Sequence, residues 1–93
     1  MKIGQIVFVK TGRGKGDAFI VISIQNEYIY LVDGKRCPLI KPKKKKVMHV
    51  QPTNYIAHLE TDGRALQDAD IRKRINEFLS LSKGGRSHWQ KTM

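Results

Sequence analysis

The chain is predicted to be mainly β with an α-helical C-terminus: a small five-stranded barrel followed by one or two helices. Three observations carry this. Short runs of β-branched and aromatic residues recur through the first half, separated by glycine and polar turns. From residue 53 onward the apolar spacing becomes helical. The length, 93 residues, suits one domain with a small core and a helical appendage. Five short strands with such turns make a closed barrel the economical architecture, because closure removes exposed sheet edges.

Ile6 to Lys10 and Phe19 to Ile24 read as the first two strands. Between them Gly12, Gly14 and Gly16 alternate with Arg13 and Lys15, and three glycines in five residues mark a turn that can take positive φ. Gln25-Asn26-Glu27 is a polar break before Tyr28 to Val32, which should form a hairpin with the second strand. After the Asp33-Gly34 turn, Pro38-Leu39-Ile40 reads as a fourth strand, with proline at its start where a missing N–H is tolerated. Lys41 to Lys46 then reads as a loop, and Val47 to Val50 as a fifth strand ending at Pro52.

Thr53 or Asn54 can cap a short helix through Leu59 that Asp62-Gly63 would end. A second helix is better marked: Asp68 as N-cap, Asp70 at the positive end of the dipole, and Ile71, Ile75, Phe78 and Leu79 at i, i+4, i+7 and i+8. Gly84-Gly85 stops it. The organisation expected is a barrel over 1–52, a helical extension packed on it over 53–82, and a flexible basic tail over 83–93 that contains Trp89.

Gly4, Ile6, Val7, Val9, Gly12, Lys15, Gly16 and Val21 together resemble the KOW motif, a strand-loop-strand signature of ribosomal and transcription-elongation proteins. The run from Gly16 to Ile22 is similar to the variant in KOW-type large-subunit ribosomal proteins of archaea and eukaryotes and their small bacterial relatives. Phe19, where many members carry glycine, and Gly14, often acidic or polar, depart from the common pattern. The resemblance covers about the first half of the chain. It implies an SH3-like barrel whose glycine-bearing loop approaches RNA or a protein partner, and through that an association with the ribosome, its RNA and possible ribosomal-protein neighbours.

Charge points the same way without help from the resemblance. Eighteen Lys and Arg against eight Asp and Glu give a net +10, a field whose natural partner is a polyanion. Residues 1–50 hold 11 basic and 3 acidic groups, so the barrel half carries the footprint. One cysteine, Cys37, permits no internal disulfide and fits a reducing cytoplasm; the N-terminus goes straight into strand pattern, with no signal-peptide core and no run of transmembrane length. A monomer when free, with no membrane partner, is expected.

Two stretches are the main RNA-binding candidates. The Gly12 to Gly16 turn could hold a phosphate with its N–H groups and with Arg13 and Lys15, Gly14 supplying close approach and Lys10 lying just before it; the bland reading is a solvated hairpin loop. Lys41, Lys43, Lys44, Lys45 and Lys46 could add a dense charge, joined by Lys35 and Arg36; the bland reading is a solubility device. Lysines suit phosphate but read no base edges, so recognition should follow shape. Arg72, Lys73 and Arg74 would extend the footprint from the second helix. Tyr28, Tyr30 and Phe8 could stack bases, with packing in the core the favoured reading.

Catalysis finds no support. Acidic groups are scattered and Cys37 lacks a paired base. His49, His58, His88 and Cys37 have no zinc-like spacing. The Gly-Lys arrangement fails the P-loop pattern, since Asp17 follows Gly16, and the dinucleotide fingerprint, since a strand follows the glycines. No cofactor is expected. The reading is therefore a non-enzymatic RNA-binding protein whose expected partner is ribosomal RNA, with a module docking a translation or transcription factor as the alternative. An exposed apolar stripe on the second helix would favour that alternative.

Overall fold

A computed structural model describes residues 1–84. The chain forms β1 (Gln5–Val9), β2 (Ala18–Gln25), β3 (Tyr28–Val32), β4 (Lys43–Lys46), a single 3₁₀ turn η1 (Val47–His49), β5 (Val50–Ile56) and α1 (Asp68–Gly84). The strands make one antiparallel sheet in the order β4-β3-β2-β1-β5.

The connection between the two edges dictates the shape. A flat five-stranded sheet would be about 19 Å wide at ~4.8 Å per gap. From the end of β4 to the start of β5 the chain takes only the steps Lys46 to Val50, a reach of at most about 14 Å. The sheet must therefore curl. Hydrogen bonds from Val47 N–H to Glu27 O (2.9 Å) and from Lys10 N–H to His49 O (2.9 Å) fix η1 across the curl. No ladder joins β4 to β5, so the closed barrel expected from the sequence is corrected to a curled, open sheet.

Both sheet faces are buried over much of their area, which is why the first two strands read as nearly continuous apolar runs. Val7, Val9, Phe19, Val21, Ile29, Leu31 and Val50 fill the interior of the curl. Ile6, Ala18, Ile20 and Val32 point the other way and pack under Ile71, Ile75 and Phe78 of α1. The Phe78 ring lies 6.0 Å from Phe8 and 5.2 Å from Tyr55, centroid to centroid. The stripe expected on this helix is thus buried against the sheet, except Leu79, which is 40% exposed.

Several expected elements are corrected. Pro38-Leu39-Ile40 is a turn, not a strand. The Asp33 carboxylate accepts the N–H groups of Lys35 and Cys37 (both 2.9 Å), Asp68 Oδ1 accepts that of Leu39 (2.8 Å), and Pro38 has none, so no ladder can form there. The fourth strand is instead the lysine run itself. Val47 to His49 is the 3₁₀ turn, and the fifth strand runs from Val50 through Pro52 to Ile56, replacing the helix expected over 53–59. Pro52 is tolerated because β5 is an edge strand, and buried Thr53 sits at the bulge, its hydroxyl donating to Ile6 O at 2.8 Å. The helical extension reduces to α1.

The N-terminus of α1 is capped differently from the expectation as well. Gln67 O accepts the N–H groups of Asp70 (2.9 Å) and Ile71 (3.3 Å), so Gln67 is the N-cap. Asp70 reaches back to accept the Gln67 N–H at 2.9 Å, the carboxylate half of a capping box. Asp68 holds Leu39. The stop at Gly84-Gly85 and the tail with Trp89 extend outside the described residues.

Candidate nucleic-acid interface

The loop between β1 and β2 is tightly self-bonded. Gly12, Gly14 and Gly16 take φ of 73°, 88° and 88°. The N–H groups of Lys15, Gly16 and Asp17 donate to Gly12 O, Val9 O and Gly14 O at 3.2, 2.8 and 2.9 Å. These three donors are engaged within the loop and by the end of β1, so the phosphate cradle anticipated from the glycine spacing loses them. Arg13 and Lys15 project from it exposed, and Lys10 leaves β1 exposed beside it.

The loop's carbonyls meet the lysine strand. Cross-strand partners share a face, and Lys43 and Lys45 oppose Leu31 and Ile29, whose side chains fill the curl. Their stems therefore cross the open seam. Lys43 Nζ donates to Arg13 O at 2.7 Å and Lys45 Nζ to Thr11 O at 3.0 Å. Lys43 Nζ also lies 5.8 Å from the centre of the Phe19 ring, so its stem roofs the interior core. Lys44 and Lys46 oppose Tyr30 and Tyr28 on the outer face, with Lys44 Nζ 4.4 Å from the Tyr28 ring centre. Lys41, in the preceding turn, is exposed. An edge strand of lysines also discourages pairing with other sheets, and that purpose alone would account for alternate residues.

A second set of cations adjoins this seam. Two clefts, of about 250 and 180 Å³, share Asp17, Asp33 and Arg36. Arg13 and Lys43 line the smaller; Lys35 and Arg72 line the larger. The basic side chains thus run from the lysine strand past the glycine loop to the start of α1. Arg72 donates to Gly34 O at 2.6 Å, pinning the loop after β3 to the helix. The helical basic cluster does not act as a unit: positions 72 and 74 are about 200° apart on a helix. Arg74 is turned to His58 O (2.8 Å) and Glu77 (3.2 Å), and Lys73 is exposed.

Sequence reasoning missed Asp17 and Asp33, two carboxylates inside this basic surface, and the backbone carbonyls of Thr11 and Arg13. Asp33-Gly34 was legible only as a turn. Tyr28 and Tyr30, favoured for the core, belong to neither core cluster and stand partly exposed on the outer face. Phe8 does pack, beneath the helix. Burial, and next the Asp33 carboxylate, push the Cys37 thiol up from its ordinary value and disfavour the thiolate. Among the described residues, no group of three or more His, Cys, Asp or Glu side chains could hold a metal ion, and no helix is long and apolar enough to cross a membrane.

A scan against protein-family models found no match, and neither did a search of curated proteins.

Proposed function

We propose that this chain is a non-enzymatic RNA-binding protein whose curled sheet is an SH3-like barrel of the KOW type. Structured RNA, with ribosomal RNA the class suggested by the motif resemblance, lies across the seam between the glycine loop and the lysine strand. The carrying observation is the pair of bonds from Lys43 and Lys45 to Arg13 O and Thr11 O. An ammonium has three donors. With one held by a carbonyl, each lysine keeps two for phosphate oxygens, at a position already fixed before RNA arrives, which lowers the ordering cost of binding.

Arg13 and Lys15 on the loop, and Arg36 and Lys35 beyond it, add phosphate contacts on the same side. The contacts are to backbone and not to base edges, so the surface selects by the spacing of phosphates. The SH3-like reading is supported by the strand order and by the single 3₁₀ turn that carries the chain from one sheet edge to the other. Ile71, Ile75 and Phe78 of the helix stripe are buried against the sheet and only Leu79 of the four is exposed, which favours the RNA reading over a factor-docking role.

Ultraviolet cross-linking in the protein's own cell, with peptide mapping, tests this. Cross-links to folded RNA should fall within residues 11–17 and 35–46. Absence of RNA enrichment over an equally basic control protein would contradict it.

A further inference from the structure

We infer that the outer face of β3 and β4 is a second nucleic-acid surface, one that stacks unpaired bases on Tyr28 and Tyr30. The inference rests on the RNA-binding reading above and adds to it a ligand class, single-stranded RNA, on a different face of the sheet.

The register builds this surface. Before the bulge between Val21 and Ser23, Ile20 faces outward opposite Val32, and both are roofed by α1. The extra residue shifts the alternation, so that Ser23 and Gln25 oppose Tyr30 and Tyr28. On the far side, Lys44 and Lys46 oppose the same two tyrosines. The outer face thus changes, within one strand, from an apolar half beneath the helix to a half of two rings bordered by polar groups and two lysines. Neither ring packs in a core cluster, and both remain partly exposed.

Charge and spacing select the occupant. Lys44 and Lys46 Nζ lie over the Tyr28 ring, 4.4 and 5.9 Å from its centre, so the ring face already holds a cation, and a base that stacks there displaces the Lys44 ammonium and leaves it beside the phosphate of the same nucleotide. This combination of aromatic platforms and backbone-tracking cations is what single strands require. Side chains two apart on a strand face are about 6.8 Å from each other. That is twice the ~3.4 Å step of a stacked helical strand, so the two rings suit splayed bases and not a duplex. Lysines are point charges and every base has a π-face, so sequence preference should be weak.

Titrations with short oligouridine, short oligoadenosine and a blunt RNA duplex test this, using the full chain and circular dichroism to verify folding. Tyr28→Leu with Tyr30→Leu should weaken both single strands by at least about fivefold per ring and leave the duplex unchanged. Tyr28→Phe with Tyr30→Phe should bind as the parent does, since the ring is retained. Unchanged oligonucleotide binding by the Leu pair, or an equal loss for the duplex, overturns the inference. Wild-type protein that binds duplex but neither oligonucleotide also overturns it while leaving the proposed function standing; failure to bind any RNA removes both.

Discussion

Lys43 Nζ lies 2.7 Å from the backbone carbonyl oxygen of Arg13, a contact that joins residues thirty positions apart across the open side of the sheet. With Lys45 on Thr11 O it substitutes side-chain bonds for the missing ladder. The same charges that make the surface attractive to a polyanion are therefore also structural, so exposed lysines here are not neutral to stability as surface charges generally are.

Replacing Lys43 and Lys45 by Met keeps the stems over the core and removes the ammonium bonds. Each such bond is worth about 0.5–1.5 kcal/mol, and partial exposure puts these at the low end. Thermal unfolding should show Tm lowered by roughly 5 °C, with the Ala pair lower still because the roof over Phe19 goes too. Lys44→Met with Lys46→Met should change Tm little. Equal stability of the two Met pairs would show that the seam bonds contribute nothing.

Gly34 takes φ of 77°, and a Cβ there would stand 2.6 Å from Asp68 O and 2.9 Å from Arg72 Cγ. Gly16, at φ 88°, has nothing within 4 Å of the same position. Gly16→Ala therefore reports backbone strain alone, about 1–2 kcal/mol. Gly34→Ala should cost more, about 2–4 kcal/mol, because backbone of α1 must also move. Chemical denaturation of both variants gives the difference; equal losses would mean that the loop after β3 can back away from the helix freely.

Phe78 is fully buried between Phe8 and Tyr55. Phe78→Ala should destabilise the fold by about 3–5 kcal/mol, a large share of what a domain this size possesses. If α1 and the sheet form one cooperative unit, helix and strand signals will be lost together in the denaturation curve. Loss of helix first, with the sheet retained, would show α1 to be an independent appendage.

The Arg64 guanidinium, and after it the Gln67 N–H, hold the Asp70 carboxyl well below the usual carboxylate range. A depressed folded-state pKa contributes stability above the unfolded value, about 3.9, that is lost as pH falls through the folded value. The Tm difference between the parent and Asp70→Asn should be constant from neutral pH down to about 5 and shrink steadily below about 4. A difference that does not vary with pH would place the effect in the side-chain shape and not its charge.

What could be read from the sequence followed from periodicity. β1, β2 and β3 announce themselves because β-branched runs end in glycine or polar turns, and α1 because Ile71, Ile75 and Phe78 keep a helical stripe. β4 was hidden because five lysines in six residues look like a solvated loop; only the partner strand, with Ile29 and Leu31 opposite, decides that they are extended. β5 was cut short at Pro52 because proline usually ends a strand, whereas an edge position with a bulge accepts it. The three-residue spacing of Ile56 and Leu59 suggested a helix that ladder pairing with β1 overrides. At the site, the residue types were legible, but the bonds from Lys43 and Lys45 to loop carbonyls depend on a curl that no local pattern encodes.

The salt dependence of binding to a folded RNA hairpin tests the central claim most directly, comparing the parent with a variant carrying Gln at Arg13, Lys15, Lys43 and Lys45. About five phosphates neutralised on one face predict a slope of log K against log salt of roughly −3.5 to −4.5, and the variant should lose most of it. Parent and variant with the same slope, or a parent whose affinity ignores salt, would contradict an RNA-binding seam between the glycine loop and the lysine strand.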